Sequence, residues 1–344
     1  MKQKNSPIFI SAGGRSGSTW VQDALGKANG LRTVFEPLHP ERIPRAGSFA
    51  YKYIPDDREE PELKKILDEV IWGRRGRLWA NYRINRQHFW HGRQAVSSFS
   101  KARRQQAKYL QMARRYFRYR RQSPEQRPVV KLIRANMMLG WLHKTYAAPI
   151  LVLLRHPGAV VESKMRLWQG GWRYDELISY FDDQRLLADY WPELEVPDIN
   201  RMSRAECFAT VWCMETLVAL DKVRRYGLSM TCYEHLLQFQ HKEWQRLATE
   251  LGLANIPEGP WLRQPSQQTS PQRKKSTFDQ GSMGDWMKRM TAEDRQMVGE
   301  TLQRFGITIY SMNSPLPAVA PGRPGPDPEG AADSDCQPEQ EGRP

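Results

Sequence analysis

The chain has 344 residues, of which 52 are Lys or Arg and 38 are Asp or Glu, so its formal net charge is +14. This length suits one large domain or two modest ones, and a hydrophobic content of 40% with 10% aromatic residues excludes a wholly disordered chain. No apolar run approaches the roughly 18 residues of a membrane-spanning helix, and the N-terminus does not have the long apolar core of a signal peptide.

In chain order, the first predicted elements are a strand, a glycine-rich turn, a helix and a second strand. Residues 7–12 form a short apolar run that is typical of a buried strand. The apolar residues of 21–28 repeat with the spacing of one helix face, and Gly30 follows them as a C-cap residue. Residues 31–35 predict the second strand, and Pro61 marks the start of an amphipathic helix.

A strongly basic segment follows this helix. Residues 73–127 contain 16 Lys or Arg and a single acid, Glu125, whereas the rest of the chain has 36 basic and 37 acidic residues. Residues 101–121 have an interrupted apolar stripe, which predicts a mostly helical insertion. A solvated helical face and a surface that attracts an anionic ligand are both open interpretations of such a charge run.

The second half of the chain predicts three more strands, over residues 128–133, 149–154 and 229–233. Pro157 suits the first position of a helix, and Ser203 opens a capping box at the start of a longer one. Strands that alternate with helices imply an α/β fold, a three-layer sandwich in which a central parallel sheet of about five strands carries helices on both faces. Ligands of such sheets bind at the carboxyl ends of the strands.

The chain is predicted to be one domain with a tail. Residues 1–313 contain the predicted elements together with the basic insertion. Residues 314–344 are rich in Pro, Gly and acidic residues without periodicity, which predicts disorder. The four cysteines form no disulfide framework and no metal-ligand spacing, so we expect a reducing, cytoplasmic setting and no metal.

The loop after the first strand has the composition of an anion-binding site. It reads Gly13-Gly14-Arg15-Ser16-Gly17-Ser18-Thr19-Trp20 and leads into the first helix. Backbone N–H groups at a helix N-terminus bind anions, and glycines let a phosphate come close. Ser18, Thr19 and Arg15 add donors for a phosphate or sulfonate oxygen. Trp20 offers an aromatic face on which a nucleobase can lie, and the alternative interpretation is an ordinary core tryptophan.

A second anion-binding pattern follows the fourth strand. Residues 151–154 lead directly to Arg155, and the helix that begins at Pro157 places Ser163 about two turns further on. An Arg at a strand end and a Ser on the next helix are together suited to hold a second phosphate.

These two loops together, residues 13–20 and 153–165, resemble the nucleotide signatures of the sulfotransferases that use 3′-phosphoadenosine 5′-phosphosulfate (PAPS). The resemblance implies a P-loop-like fold in which the first loop, Gly14 to Trp20, holds the 5′-phosphosulfate. It further implies that Arg155 and Ser163 hold the 3′-phosphate, and that the nucleotide product is 3′-phosphoadenosine 5′-phosphate (PAP).

Two later stretches resemble the same family. Residues 231–237 are similar to a strand that ends in a Tyr-Glu-Asp-Leu element, with His235 in place of Asp, and this adds Tyr233 to the nucleotide site. Arg273, Lys274 and Lys275 are similar to the late basic loop of cytosolic members, and residues 284–288 resemble the Gly-Asp-Trp-Lys element that accompanies it. The resemblance covers residues 6–38, 128–168 and 228–295.

The resemblance also indicates which residues act on the acceptor. Cytosolic small-molecule members carry a catalytic His two residues beyond a strand Lys, but here Ile133 stands two residues beyond Lys131. Residues 35–39, Phe-Glu-Pro-Leu-His, resemble an element of the carbohydrate 6-O-sulfotransferases, so Glu36 is the predicted general base and His39 its alternative. Lys131 and Arg15 are expected to act on the sulfonate and the leaving oxygen.

The predicted function is transfer of a sulfonate group from PAPS to a hydroxyl of a carbohydrate or of a glycosylated metabolite or lipid. The acceptor is expected to be anionic or carried on a membrane surface, with the basic insertion attracting it, and nucleic acid is not expected as a partner. Two alternatives are open: an ATP-dependent phosphotransferase on the same fold, and a basic protein that binds nucleic acid or a membrane surface. The first alternative is weakened because no Lys precedes the Ser-Thr pair of the first loop, as a Walker A motif requires.

Overall fold

A five-stranded parallel sheet forms the centre of the protein. The computed structural model describes residues 6–40, 43–72, 126–167, 175–263 and 283–320. The strands are β1 (Ile8–Ser11), β2 (Arg32–Phe35), β3 (Pro128–Leu132), β4 (Ile150–Leu154) and β5 (Ser229–Cys232). They lie in the order β2-β3-β1-β4-β5, and every neighbouring pair is parallel. The α/β fold predicted from the sequence, with a parallel sheet of about five strands, is confirmed.

Helices connect the strands, as the alternating pattern predicts. They are α1 (Ser18–Asn29), α2 (Pro61–Ile71), α3 (Leu139–Tyr146), α4 (Pro157–Leu167), α5 (Asp175–Phe181), α6 (Gln184–Tyr190), α7 (Arg204–Tyr226), α8 (Tyr233–Gln238), α9 (Gln240–Glu250), α10 (Asp285–Arg289) and α11 (Ala292–Arg304). Gly30 and Gly227 take left-handed conformations at the C-caps of α1 and α7. The Ser203 hydroxyl accepts a hydrogen bond from the Glu206 N–H and caps the start of α7.

The strand residues alternate between two apolar layers. Phe9, Val130 and Val152 lie in the layer that includes α2, α3, α4, α7 and α11. Ile10 and Leu151 lie in the opposite layer, with α1, α8 and α9. Both faces of the sheet are buried because the connections between parallel strands place helices on both sides. The loops that leave the carboxyl ends of the strands therefore meet at one edge.

The C-terminal part of the domain packs on the helix that follows β4. Trp286 of α10 lies against Gly158 in the first turn of α4, where a Cβ would come within 2.5 Å of the indole ring. The same ring stacks on His156 with centroids 4.4 Å apart, and Arg289 pairs with Glu162 at 2.9 Å. Helix α10 therefore packs against α4 and against the loop that carries Arg155.

Gly158→Ala is expected to destabilise the fold by about 1–3 kcal/mol, because the added methyl group overpacks the buried Trp286 ring. Gly299→Ala in α11 is the matched control, since its nearest neighbour is Met312 Cγ at 3.6 Å, an ordinary contact. That control is expected to gain up to about 1 kcal/mol from the better helix propensity of Ala. Urea unfolding followed by circular dichroism measures both variants, and a Gly158→Ala protein as stable as wild type would contradict this packing.

Two predicted segments fall partly outside the described residues. Of the basic insertion, 73–127, the structure describes only residues 126 and 127, and Arg127 donates to the main-chain carbonyls of Ser6, Leu251 and Gly252. Of the predicted tail, residues 314–320 are described, and the Ala318 N–H donates to the Ile309 carbonyl at 2.8 Å. Residues 321–344 lie outside the described range.

Candidate active site

The glycine-rich turn stands at the carboxyl end of β1. Its backbone takes left-handed conformations at Arg15 and Gly17, with φ of 74° and 85°. A Cβ at Gly17 would come within 2.6 Å of the Tyr233 ring, so this close approach requires glycine. The Ser16 N–H and hydroxyl both donate to the Gly13 carbonyl, at 3.3 and 2.8 Å, and close the turn.

Of the remaining residues of this loop, Gly14 belongs to the turn itself, and Ser18 and Thr19 lie in the first turn of α1. Gly14 is half-buried, Ser18 is buried, and the Thr19 hydroxyl accepts a hydrogen bond from Lys131 at 3.0 Å. The first turn of α1 contains no acidic side chain, so no negative charge there opposes an anion at the helix N-terminus. The turn and the helix start therefore have the geometry of the anion cradle that the sequence predicts, and anion binding there stays a prediction.

The second anion-binding pattern meets the first at this edge. Arg15 Nε donates to Ser163 Oγ at 3.1 Å, and Arg155 Nη1 donates to the Arg15 carbonyl at 2.9 Å. The Arg155 guanidinium lies over the Tyr233 ring, 4.7 Å from its centroid. Arg155 Nε is buried and has no hydrogen-bond partner in the part of the chain that the structure describes. A buried donor of this kind suits a guanidinium that binds an anionic ligand.

Trp20 lies in an aromatic cluster on the α1 side of the sheet. Its ring centroid is 5.6 Å from that of Tyr233 and 5.6 Å from that of Trp244, and its indole N–H donates to the Leu262 carbonyl at 3.0 Å. Only 6% of Trp20 is exposed. These contacts fit the core position that the sequence left open, and contact with the adenine base stays a prediction.

The predicted late basic loop lies outside the described range, which stops at residue 263 and resumes at 283. Arg273, Lys274 and Lys275 all belong to this stretch, and their contribution stays a prediction. The flanking residues Leu262 and Met283 both pack against the apolar layer that contains Trp20 and Tyr233. Both ends of the stretch therefore lie on the same apolar layer as the helix that follows the anion-binding turn.

Glu36 follows β2 and lies between two cations. Its Oε1 accepts from the Lys131 ammonium at 2.9 Å, and its Oε2 accepts from Arg134 Nη1 at 2.6 Å. The same ammonium donates to the Thr19 hydroxyl of the first loop. The exposed fractions of the Glu36, Lys131 and Arg134 side chains are 8%, 4% and 14%. One buried ammonium thus links the predicted base to the anion cradle.

A tight turn presents Glu36 at the sheet edge. Glu36 has a φ of 44°, a left-handed conformation that is uncommon for a residue other than glycine. The His39 N–H donates to the Glu36 carbonyl at 3.1 Å and closes the turn, and His39 itself is half-buried. The structure therefore brings both predicted bases to the same turn, with the Glu36 carboxylate paired to Lys131.

The two cations keep Glu36 ionised. Burial by itself raises the pKa of Glu36, but the attraction and hydrogen bonds of Lys131 and Arg134 outweigh it and hold the pKa below its ordinary value of 4.5. Burial lowers the pKa of Lys131, and the positive charges of Arg134 and Arg15 add to this effect while Glu36 opposes it. Glu36 is therefore a carboxylate at neutral pH.

A second group of buried polar side chains lies beside the Gly13 turn, and the sequence reasoning missed it. Its members are Lys164, Glu176, Tyr180 and Glu215. Glu215 stands within the long buried run of α7, where most neighbours are apolar. The sequence could have identified Glu215 as a charged residue within a predicted buried helix face, since charged side chains are rarely buried without a partner.

The described residues contain no group of three or more His, Cys, Asp or Glu arranged to hold a metal ion. No helix among them is long and apolar enough to cross a membrane. Cys207, Cys213 and Cys232 are buried thiols, and burial raises the pKa of Cys207 to about 11. These three cysteines are therefore unreactive core residues at neutral pH.

The central sheet defines a P-loop-like α/β protein, and the two linked loops lie at the carboxyl ends of its strands. A profile of the sulfotransferase family matches residues 7–258, most of the chain. The chain belongs to the sulfotransferase family, and this family supports sulfonate transfer as its general activity. Comparison with curated proteins finds no match.

Several solved structures resemble this chain along most of its length at low identity. The sulfotransferase domain from the curacin biosynthetic pathway is 16% identical with a TM-score of 0.46, over 88% of this chain and 99% of that one. The sulfotransferase domain of the Synechococcus PCC 7002 olefin synthase is 19% identical with a TM-score of 0.43, over 89% and 96%. A sulfotransferase from Alicyclobacillus acidocaldarius is 12% identical with a TM-score of 0.36, over 88% and 96%.

Proposed function

We propose that this protein transfers the sulfonate group of PAPS to an acceptor hydroxyl. The observation that carries the proposal is the Lys131 ammonium, which contacts Thr19 of the anion cradle and the Glu36 carboxylate. A sulfonate held in the cradle and a hydroxyl held at Glu36 are then neighbours, with one buried cation between them. Proximity and electrostatic stabilisation supply most of the rate of such a transfer.

The two loops fit a donor with two anionic ends. We assign the 5′-phosphosulfate to the cradle from Gly14 to Thr19 and the 3′-phosphate to Arg155 and Ser163, with Tyr233 supporting the Arg155 guanidinium. The buried Arg155 Nε, which has no partner within the described ranges, supports this assignment. When bound, PAPS supplies an activated sulfonate and leaves as PAP. Trp20 and the cations Arg273, Lys274 and Lys275 complete the proposed nucleotide site.

Glu36 is the proposed general base, with His39 as its alternative. An ionised carboxylate accepts a proton from a hydroxyl within hydrogen-bond reach, whatever its resting pKa. When Glu36 takes that proton, its ion pairs with Lys131 and Arg134 weaken. The positive charge of Lys131, together with that of Arg15, then becomes available to the leaving oxygen as negative charge develops there.

The proposed acceptor is a carbohydrate or a glycosylated metabolite or lipid. The resemblance of residues 35–39 to the carbohydrate 6-O-sulfotransferases supports this choice, as does Ile133 in the place of the catalytic His of small-molecule members. Arg134 lies over the Tyr51 ring, 5.5 Å from its centroid, next to Glu36. Polar side chains in this position suit an acceptor that is rich in hydroxyl groups.

The basic insertion, 73–127, is proposed to attract an acceptor that is anionic or carried on a membrane. The KM for this acceptor is then expected to rise several-fold as NaCl increases, because salt screens attraction between exposed charges. PAPS binding is expected to weaken much less, since Ser163 is buried and Arg155 is partly buried. Steady-state kinetics at a series of NaCl concentrations measures both effects. Equal salt sensitivity of the two substrates would instead indicate a solvated helical face.

A turnover assay tests the proposed function. Wild-type protein is incubated with PAPS and a panel of sugars, glycolipids and phenols, and mass spectrometry detects PAP and the sulfated product. We expect PAP release with a carbohydrate-type acceptor, and loss of release in Arg15→Ala. Absence of turnover on every acceptor together with absence of PAPS binding would overturn the proposal. Magnesium-dependent consumption of ATP would favour a phosphotransferase instead.

A further inference from the structure

The carboxyl group of Glu215 touches the turn that follows β1. Glu215 lies in the middle of α7 and is 7% exposed. Its Oε2 lies 2.8 Å from the position that a Cβ would take on Gly13, and the Ser16 hydroxyl lies 3.7 Å from the same point. The carboxyl group therefore lies against Gly13, at the start of the turn that leads into the anion cradle.

The orientation of this carboxyl group is fixed by Tyr180. The Tyr180 hydroxyl donates to Glu215 Oε1 at 2.8 Å. Because burial holds the pKa of Tyr180 well above 10, the phenol keeps its proton and remains a donor at physiological pH. This hydrogen bond leaves Oε2 on the side of the Gly13 turn.

Titratable and polar groups face Glu215 from each element around it. They are Lys164 on α4, Glu176 and Tyr180 on α5, Asn136 after β3 and Tyr51 after β2. Lys164 and Glu176 lie 4.0 Å apart, so their opposite charges partly offset each other. Burial has the largest effect and raises the pKa of Glu215 to about 7, against smaller opposing effects of Lys164 and Tyr180.

This environment differs from that of Glu36. Two direct ion pairs, with Lys131 and Arg134, favour the charged form of Glu36. The polar partners of Glu215, the Tyr180 phenol and the Asn136 amide, are neutral, and the attraction of Lys164 is shared with Glu176, 4.0 Å from Lys164. Of these two carboxyl groups, Glu215 is therefore the one whose charge can change near neutral pH.

We propose that Glu215 is a proton-linked positioning residue of the donor site, and that the cradle holds its anionic ligand only when Glu215 is neutral. The inference rests on the proposed function, which places a phosphosulfate group at this turn. An anion in the cradle and an ionised Glu215 repel each other across Gly13, in surroundings where water screens the repulsion poorly. A neutral carboxyl group removes this repulsion and offers a hydrogen-bond donor. Binding of the donor therefore takes up a proton at Glu215.

Isothermal titration calorimetry with PAP tests this linkage. Wild-type protein and Glu215→Gln are titrated at pH 7.5 in two buffers of different ionisation enthalpy. Wild type is expected to take up about three-quarters of a proton per PAP more than Glu215→Gln. Between pH 7 and pH 8.5, PAP affinity of wild type is expected to fall roughly tenfold more than that of the variant. Titration of the phosphates of PAP is common to both proteins, so the difference isolates Glu215.

Tyr180→Phe provides a second variant with a distinct signature. Loss of the hydroxyl removes a hydrogen bond that favours the Glu215 carboxylate, so the pH dependence of PAP binding is expected to move to higher pH. A merely structural role would weaken PAP binding equally at every pH. Equal proton uptake by wild type and Glu215→Gln, or an unshifted profile in Tyr180→Phe, would overturn the inference and leave the proposed function standing. Failure of wild type to bind PAP would overturn both.

Discussion

Arg155→Ala is expected to weaken PAP binding by roughly 10- to 150-fold, equivalent to about 1.5–3 kcal/mol. The guanidinium is held ready for a phosphate, because Nη1 donates to the Arg15 carbonyl and the plane lies over Tyr233. Its Nε is a buried donor without a partner in the described part of the chain. An anion that accepts from Nε therefore adds a hydrogen bond and displaces no existing protein hydrogen bond. Calorimetric titration with PAP measures the loss.

Two further variants make this result specific. Arg155→Lys keeps the charge but loses the planar fork, so an intermediate loss of affinity is expected. Arg201→Ala is the matched control, since 89% of its side chain is exposed and it pairs with Asp198 before α7. Unchanged PAP affinity in Arg155→Ala would contradict the assignment of the 3′-phosphate to this residue.

Glu36→Gln is expected to lower kcat by roughly 10²- to 10⁴-fold, the usual contribution of a general base. The amide matches the carboxylate in size but does not take up the acceptor's proton, and Lys131 and Arg134 lose their negative partner. Because both cations are largely buried, the substitution is also expected to destabilise the fold by about 3–5 kcal/mol. PAP binding by the variant therefore serves as the check that the protein is folded.

The controls for Glu36 separate the base from the ion pair. Glu206→Gln removes a carboxylate that pairs with Arg304 at 3.0 Å outside the site, and its turnover is expected to match wild type. The pKa of Glu36 lies below 4.5, so its contribution to stability is present above that pH and is lost as the pH falls through the lowered value. If Glu36→Gln keeps the wild-type kcat, or if kcat falls only in His39→Ala, the general base is His39 and not Glu36.

The fold was predictable because its signals are local. The strand at 8–11 is a short apolar run, and the helix after it ends where Gly30 takes a left-handed conformation. Ser203 caps α7 as its capping box predicts. Each of these features depends on residues a few positions apart, where propensity and periodicity act directly.

The site was predictable only in part because its contacts join distant residues. Arg15 and Ser163 were each assigned to the donor, yet nothing in the sequence indicates that they bond to each other across 148 positions. Glu36 was predicted at the right edge, but its two ion pairs depend on how β3 lies beside β2. Glu215 was missed because its proposed role depends on the packing of α7 against the Gly13 turn. Helical spacing alone shows only that a charged residue lies on a buried face of the helix.

The most direct test of the central claim is a calorimetric titration of wild-type protein with PAP and with AMP, which differs from PAP only in lacking the 3′-phosphate. A site built from the cradle, Arg155 and Ser163 predicts that PAP binds at least roughly tenfold more tightly than AMP, since the 3′-phosphate adds a charge-assisted contact worth about 1.5–3 kcal/mol. Equal affinity for the two nucleotides, or no binding of PAP, would contradict the account.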